Sequence, residues 1–233
     1  MTDLVQKFSK NTLGRDLIVG DIHGHFSKLL IKLHSIGFDS SKDRLFSVGD
    51  LVDRGPESQM SFDWLHHPWF HAVCGNHEAM AIDYVEQPFY DTNMYHLNGG
   101  EWNIKNTKID RRVYANIFSS MPVAIQLETS NGLIGIIHAD CAYDSWDELL
   151  QILENPDAEH YALQDVIKEC QWSRNRINNP SLSKPVTGLK ALIVGHTPVV
   201  EMKVIDNVMH IDTAGWIEGR EFTIINADTL QKL

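Results

Sequence analysis

The chain has 233 residues, 43% of them hydrophobic and 22% charged, and a formal net charge of −11. That length builds one sizeable core, and no Pro, Gly or Ser-rich stretch divides it, so a single domain over 1–233 is expected. The composition excludes a disordered chain, no apolar run approaches the roughly 18 residues of a membrane span, and Met1 to Lys10 lacks the apolar core of a secretion signal. The acidic excess argues against a nucleic-acid partner, because phosphate backbones are bound by clustered Lys and Arg. Cys74, Cys141 and Cys170 leave one thiol unpaired in any scheme and show no CxxC spacing, so free thiols in a reducing, cytoplasmic compartment are expected.

In chain order, Asp16 to Val19 reads as a buried strand, and Phe26 to Ile36 as a helix with Phe26, Leu29, Leu30, Leu33 and Ile36 on one face. Between them lies Gly20-Asp21-Ile22-His23-Gly24. Arg44 to Val48 repeats the strand before Gly49-Asp50-Leu51-Val52-Asp53-Arg54-Gly55, and Phe70 to Cys74 repeats it before Gly75-Asn76-His77-Glu78. From Met80 to about Ile117 the pattern is mostly helical, broken at Leu97-Asn98-Gly99-Gly100. Leu133 to Ile137 runs into His138-Ala139-Asp140, after which Asp144, Asp147, Glu148, Glu154, Asp157, Glu159 and Asp165 face only Lys168 and read as a solvated helix surface. Ala191 to Val194 leads into Gly195-His196-Thr197. Val208 to Asp212 and Glu221 to Asn226 read as closing strands, with Thr213-Ala214-Gly215 as their turn.

Five apolar runs thus end in residues that can hold a divalent cation. Loops leaving the carboxyl ends of strands in an open α/β sheet line one crevice, so segments far apart in sequence can meet there. Glycines before Asp21, Asp50, Asn76 and His196 fit tight turns and close backbone approach. Asp21 and His23 lie two apart, so an extended backbone would aim both side chains the same way. Carboxylate, imidazole and carboxamide form a nitrogen and oxygen set suited to Mn²⁺, Fe²⁺ or Zn²⁺. His25, His34, His66, His67, His71, His96 and His160 lack such a context and read as structural. Glu78 reads as support for the start of a helix rather than a ligand, and Asp140 as a turn residue.

In the order GDxHG, GDxVDRG, GNHE, His and His, these blocks resemble the phosphoprotein phosphatase family of serine/threonine phosphatases, from about Asp16 to Gly215. Leu97-Asn98-Gly99-Gly100 and Trp172-Ser173-Arg174 look like its bacteriophage lambda and bacterial branch. The resemblance implies an α/β, calcineurin-like metallophosphoesterase fold: a β-sandwich core flanked by helices, with the metal site at the strand C-terminal ends. It implies that Asp21 and His23 bind one metal, that Asn76, His138 and His196 bind a second, and that Asp50 bridges both. Mn²⁺ is the expected ion, with Fe or Zn as alternatives. A carboxylate can span ions about 3.5–4 Å apart. Two dications, less two aspartates and a bridging hydroxide, leave one net positive charge for a phosphate, which a third carboxylate in place of Asn76 would cancel. The resemblance further implies in-line attack by that hydroxide, with His77 protonating the leaving alkoxide and Asp53 orienting His77. Arg54 and Arg174 would hold the phosphate oxygens through forked charge-assisted bonds, with Asn76 adding an amide hydrogen. Arg176 lies two residues from Arg174 and competes for that role; Arg174 is preferred. His210 and the Thr213-Ala214-Gly215 order depart from the family pattern.

Phosphorylated proteins carrying phosphoserine or phosphothreonine are therefore the expected substrates, with phosphotyrosine tolerated in an open site. No membrane partner is expected, and the oligomeric state stays open, a monomer being sufficient. A rival on the same metal plan is a dinucleoside polyphosphate hydrolase, but that related family usually has GNHD where Glu78 stands and lacks the Asp-Arg-Gly supplied by Asp53. A catalytically silent phosphoprotein-binding module would be expected to have lost a ligand or the acid, and none is missing. Cys170 and Arg176 have the Cys-x₅-Arg spacing of thiol-dependent phosphatases, yet no glycine lies between them and Glu169 would raise the thiol pKa.

Overall fold

The computed structural model describes residues 3–155 and 160–233; Met1, Thr2, and Asp157 and Glu159 of the acidic segment lie outside the described residues, as does the side chain of His160. Strands covered on both faces must be apolar on both, and β2 (Asp16–Val19) and β3 (Arg44–Ser47) meet that condition. Leu17, Val19 and Leu45 face one layer, while Ile18 and Phe46 face another. With β4 (Phe70–Ala72) they form a parallel set, which β10 (Ile224–Asn226) extends antiparallel beside β2. Among the described residues this sheet has four strands and its partner six. The partner runs in the order β1 (Val5–Phe8), β5 (Ala124–Thr129), β6 (Gly132–Ile136), β7 (Ala191–Val194), β9 (Val208–His210) and β8 (Lys203–Ile205). β6, β7 and β9 are mutually parallel.

The sheets pack face to face through Ile18, Phe46 and Val48 on one side and Ile125, Ile134, Ile136 and Ile193 on the other. Outside the four-stranded sheet, α1 (Phe26–Ser35) buries Phe26, Leu29 and Leu33. Outside the six-stranded sheet, α7 (Trp146–Leu153) buries Trp146, Leu149, Leu150 and Leu153, with α8 (His160–Trp172) beside it through Val166 and Cys170. The result is the expected β-sandwich between helical layers. The predicted central helices are α3 (Asn76–Glu86), α4 (Thr92–Leu97), α5 (Glu101–Ile104) and α6 (Lys108–Phe118), broken at Gly99-Gly100 as the sequence indicated. Asp91 and Thr107 start α4 and α6 by accepting backbone N–H bonds at their N-termini.

Some expectations change. Leu30 is 46% exposed, because the buried stripe of α1 is narrower than the periodicity implied. The Thr213-Ala214-Gly215 segment is not a hairpin turn: β9 and β10 lie in different sheets, and the chain from 211 to 223 crosses between them. The acidic segment does not rely on Lys168 alone, since Lys184 lies 3.3 Å from Asp144 and Lys7 lies 2.7 Å from Glu154. Strands β1, β5 and β8 went unread. Among the described residues no helix is long and apolar enough to cross a membrane, and the three cysteines are buried free thiols.

Candidate metal centre and active site

The loops after β2, β3, β4, β6 and β7 meet at one end of the sandwich, and their backbone is strained there. His23 (φ 45°), Asp50 (φ 51°), Asp53 (φ 68°), Arg54 (φ 66°) and His196 (φ 64°) all occupy the left-handed region, five of eight such non-glycine residues among those described. Each costs on the order of 1–3 kcal/mol, and such strain clusters where side chains are aimed for function. Asp21 and His23 do converge, with His23 Nε2 3.9 Å from Asp21 Oδ2. The cause is the left-handed turn at His23, not the extended backbone the sequence spacing implied. Gly195 is required opposite them, since a Cβ there would collide with Asp21 Oδ1.

Backbone carbonyls fix three of the imidazoles expected as ligands. A carbonyl can only accept, so His23 Nδ1 donates to Val52 O (2.9 Å), His138 Nδ1 to Val48 O (2.7 Å) and His196 Nε2 to Trp172 O (3.2 Å). The lone pairs of His23 Nε2, His138 Nε2 and His196 Nδ1 are thereby turned to a common centre. The Asp50 carboxylate stands between them, Oδ1 3.3 Å from His138 Nε2 and Oδ2 3.6 Å from His23 Nε2. Asn76 Oδ1 lies 2.9 Å from His138 Nε2 and 2.8 Å from His196 Nδ1. Two clusters of metal-compatible donors result, His23/Asp50/His77 and Asp50/His138/His196, sharing Asp50. The six expected ligands face one centre, with Asp21 outside both clusters at 3.9 Å from His23 Nε2, while His77, expected as a proton donor and not a ligand, falls within one of them with Nε2 3.7 Å from Asp50 Oδ2.

Electrostatics at this centre favour cations. Burial, together with the charges of Asp212 and Asp50, raises the Asp21 pKa well above its ordinary value. Burial would raise Asp50 too, but the charges of His138 and His77 hold it well below the usual carboxylate range. Burial and the adjacent His138 push His196 down to about 3, which leaves its imidazole neutral. Burial lowers His23 as well, whereas at His138 burial is outweighed by Asp50, which raises the pKa. Buried acids that repel one another beside imidazoles form a donor set that divalent ions fit, and one that needs no thiolate.

Around the donors sit the groups expected to move the proton and to face the phosphate. His77 Nδ1 lies 2.7 Å from Asp53 Oδ2. Arg54 donates from Nη1 to His23 Nε2 (3.0 Å) and from Nη2 to His77 Nε2 (3.2 Å), and stacks over Trp216 at 4.7 Å. An ion on His23 Nε2 would take the lone pair that Arg54 uses here, freeing the guanidinium for another acceptor. The two arginines differ in their surroundings. Arg176, in α9 (Asn175–Asn178), is buried and donates from its Nε and backbone N to Asp140 and from Nη1 to Lys184 O. Arg174 is exposed just before α9, close enough for its charge to act on His196. Asp140 is thus an ion-pair partner, more than a turn residue.

Glu78 performs the expected supporting role on a larger scale. Its carboxylate accepts from the N–H groups of Gly75 (2.9 Å), Asp50 (2.9 Å), Leu51 (2.8 Å) and Val52 (3.3 Å), tying the start of α3 to the Asp50 loop. Burial and the charge of Asp50 push its pKa up to about 7. Cys170 is fully buried, burial drives its thiol pKa well up, and Arg176 is committed elsewhere, so the Cys-x₅-Arg spacing has no chemistry behind it. Sequence reasoning missed three residues. Trp102 donates to Asp53 Oδ1 at 2.6 Å, Trp216 packs edge-on to His23, and Asp212 is buried beside Asp21 with its pKa pushed up to about 6, burial being the largest cause. Asp212 carried a usable signal: like Asp21 and Asp50, it is an acid at the end of an apolar run.

The calcineurin-like phosphoesterase family model matches residues 15–200. Serine/threonine-protein phosphatase 2 of Salmonella typhimurium strain LT2 is 36% identical over 207 residues, 87% of this chain and 88% of that protein. Serine/threonine-protein phosphatase 2 of Escherichia coli strain K12 is 31% identical over 222 residues, covering 92% and 94%. A solved structure of a candidate diadenosine tetraphosphatase superposes with a TM-score of 0.65 at 21% identity, covering 98% of this chain and 96% of that one, which shows a common fold. With the motif-bearing loops gathered as described and the family pattern matched over most of its length, the chain belongs to the calcineurin-like phosphoesterase family.

Proposed function

We propose that this enzyme hydrolyses phosphate monoesters on phosphoserine and phosphothreonine side chains of proteins, as a single 1–233 domain working in the cytoplasm with two Mn²⁺ ions. The observation that carries the reading is the His77–Asp53 dyad joined to two donor clusters that share Asp50. Asp21, His23 and Asp50 would hold one ion, and Asp50, Asn76, His138 and His196 the other. When bound, such ions supply positive charge for the phosphate and a water ionised at neutral pH. Arg54 and Arg174 donate to the phosphate oxygens, Arg54 turning from the two imidazole nitrogens it now touches. As the phosphorus–oxygen bond breaks, His77 Nε2 gives its proton to the departing serine oxygen, while Asp53 keeps Nδ1–H and steadies the imidazolium. Alkoxides leave poorly, so this proton is worth roughly 10²–10⁴ in rate.

The test is turnover of a phosphoserine peptide by metal-stripped protein with and without Mn²⁺, beside diadenosine tetraphosphate. Mn²⁺-dependent peptide hydrolysis is expected. His77→Asn should keep its metal content and lower kcat about 100-fold on the peptide, but far less on p-nitrophenyl phosphate, whose leaving group needs no proton. A strong preference for the dinucleotide would replace the substrate assignment, and no turnover with any metal would remove the enzymatic one.

A further inference from the structure

We infer that Trp102, in α5 just after the turn at Gly99-Gly100, is a positioning residue for the His77–Asp53 pair. Asp53 is fully buried, and its carboxylate receives one donor on each oxygen: His77 Nδ1 on Oδ2 at 2.7 Å and Trp102 Nε1 on Oδ1 at 2.6 Å. Its backbone N–H is held by the buried Ser58 Oγ at 2.9 Å. The indole is itself locked, meeting Tyr114 of α6 edge-on at 4.9 Å. The turn between α4 and α5 is seated directly on the Asp53-Arg54 loop. Gly99, at φ 97°, accepts from the Arg54 N–H, and a Cβ there would collide with the Arg54 backbone nitrogen. A carboxylate gripped on both oxygens cannot rotate, so the ring it holds keeps a single orientation. Without the indole N–H, Oδ1 would be a buried acceptor with no partner, and the carboxylate could turn to find one. Proton delivery tolerates little such movement.

This rests on His77 being the acid, and the test separates the two ideas. Trp102→Phe, which keeps an aromatic ring and loses the donor, should lower kcat on a phosphoserine peptide about tenfold, with KM and bound metal unchanged and p-nitrophenyl phosphate turnover within about twofold. Trp102→His places a ring N–H at a similar reach and should recover part of the loss. A packing role predicts the reverse order, because His fills the site less well than Phe. Trp102→Phe added to His77→Asn should cost nothing further, since it acts through the missing group. Equal loss on both substrates, His no better than Phe, or multiplying effects in the double variant would each overturn the inference. If His77→Asn alone shows no leaving-group dependence, the acid assignment fails instead. Should the Phe variant not fold, the zinc-loaded wild type still decides: the Trp102 indole proton should be protected from solvent exchange and should shift in Asp53→Asn, and rapid exchange overturns the assignment.

Discussion

Glu78→Gln tests how the strained site is held. The carboxylate takes four backbone N–H groups from two loops, two on each oxygen: Oε2 accepts from Gly75 and Asp50, and Oε1 from Leu51 and Val52. Glutamine has one oxygen and places an NH₂ where the other stood, so one pair of donors loses its acceptor and faces another donor. Two lost bonds to a charged acceptor, at about 1.5 kcal/mol each, predict a loss of about 3 kcal/mol. That is a sizeable part of the roughly 5–15 kcal/mol stabilising an ordinary domain. At about 2–4 °C per kcal/mol for this size, Tm should fall by about 6–12 °C. Because Asp50 loses a backbone anchor, metal affinity should also fall about 10–100-fold. Calorimetry and metal titration at pH 8, above the raised pKa of Glu78, would check both. A Tm change under about 2 °C with unchanged metal affinity would show that the clamp does not hold the loop.

Arg174→Ala should raise KM for a phosphopeptide about tenfold with Tm unchanged, whereas Arg176→Ala should lower Tm because it leaves the buried Asp140 unpaired; steady-state kinetics and melting of both variants check this, and the opposite pattern would exchange their roles. Burial alone would raise the Asp43 carboxyl, but hydrogen bonds from the Arg15 side chain, the Arg15 N–H and the Asp39 N–H outweigh it and hold the pKa below 3.8. Asp43→Asn should therefore cost about 2 kcal/mol at pH 7. With the folded pKa depressed, that contribution is complete above about pH 4 and disappears as pH falls through the folded value. Urea unfolding at pH 7 and pH 3 reads the gap, and a gap of equal size at both would contradict the pairing.

The candidate donor positions were legible because each lies in a loop that ends an apolar run, opened by a glycine in every case but His138, and chain topology brings the ends of β2, β3, β4, β6 and β7 together. The local reason for convergence was not legible: no pattern of residue types announces that His23, Asp50 and His196 adopt left-handed backbone. Arg174 and Arg176 could not be separated on physical grounds until Asp140 was seen to hold one of them. Trp102 was invisible for a different reason. Its donor meets Asp53 across 49 residues of chain, a contact with no periodic signature. Strands β1 and β8 were missed because they lie at the edges of their sheet, where neighbouring strands supply the register, whereas β5, the longest described strand, carried a signal in its buried Ala124, Ile125 and Leu127 against exposed Glu128.

The donor cluster draws on both halves of the sandwich. Asp21, His23, Asp50 and Asn76 follow strands of the four-stranded sheet, His138 and His196 follow strands of the six-stranded one, and Asn76 Oδ1 meets both of those imidazoles. The cage is therefore a seam between two slabs rather than a feature carved into either. Any sliding of one slab along the other pulls His138 and His196 away from Asp50 and Asn76, so the donor geometry survives only as long as the two slabs stay in register.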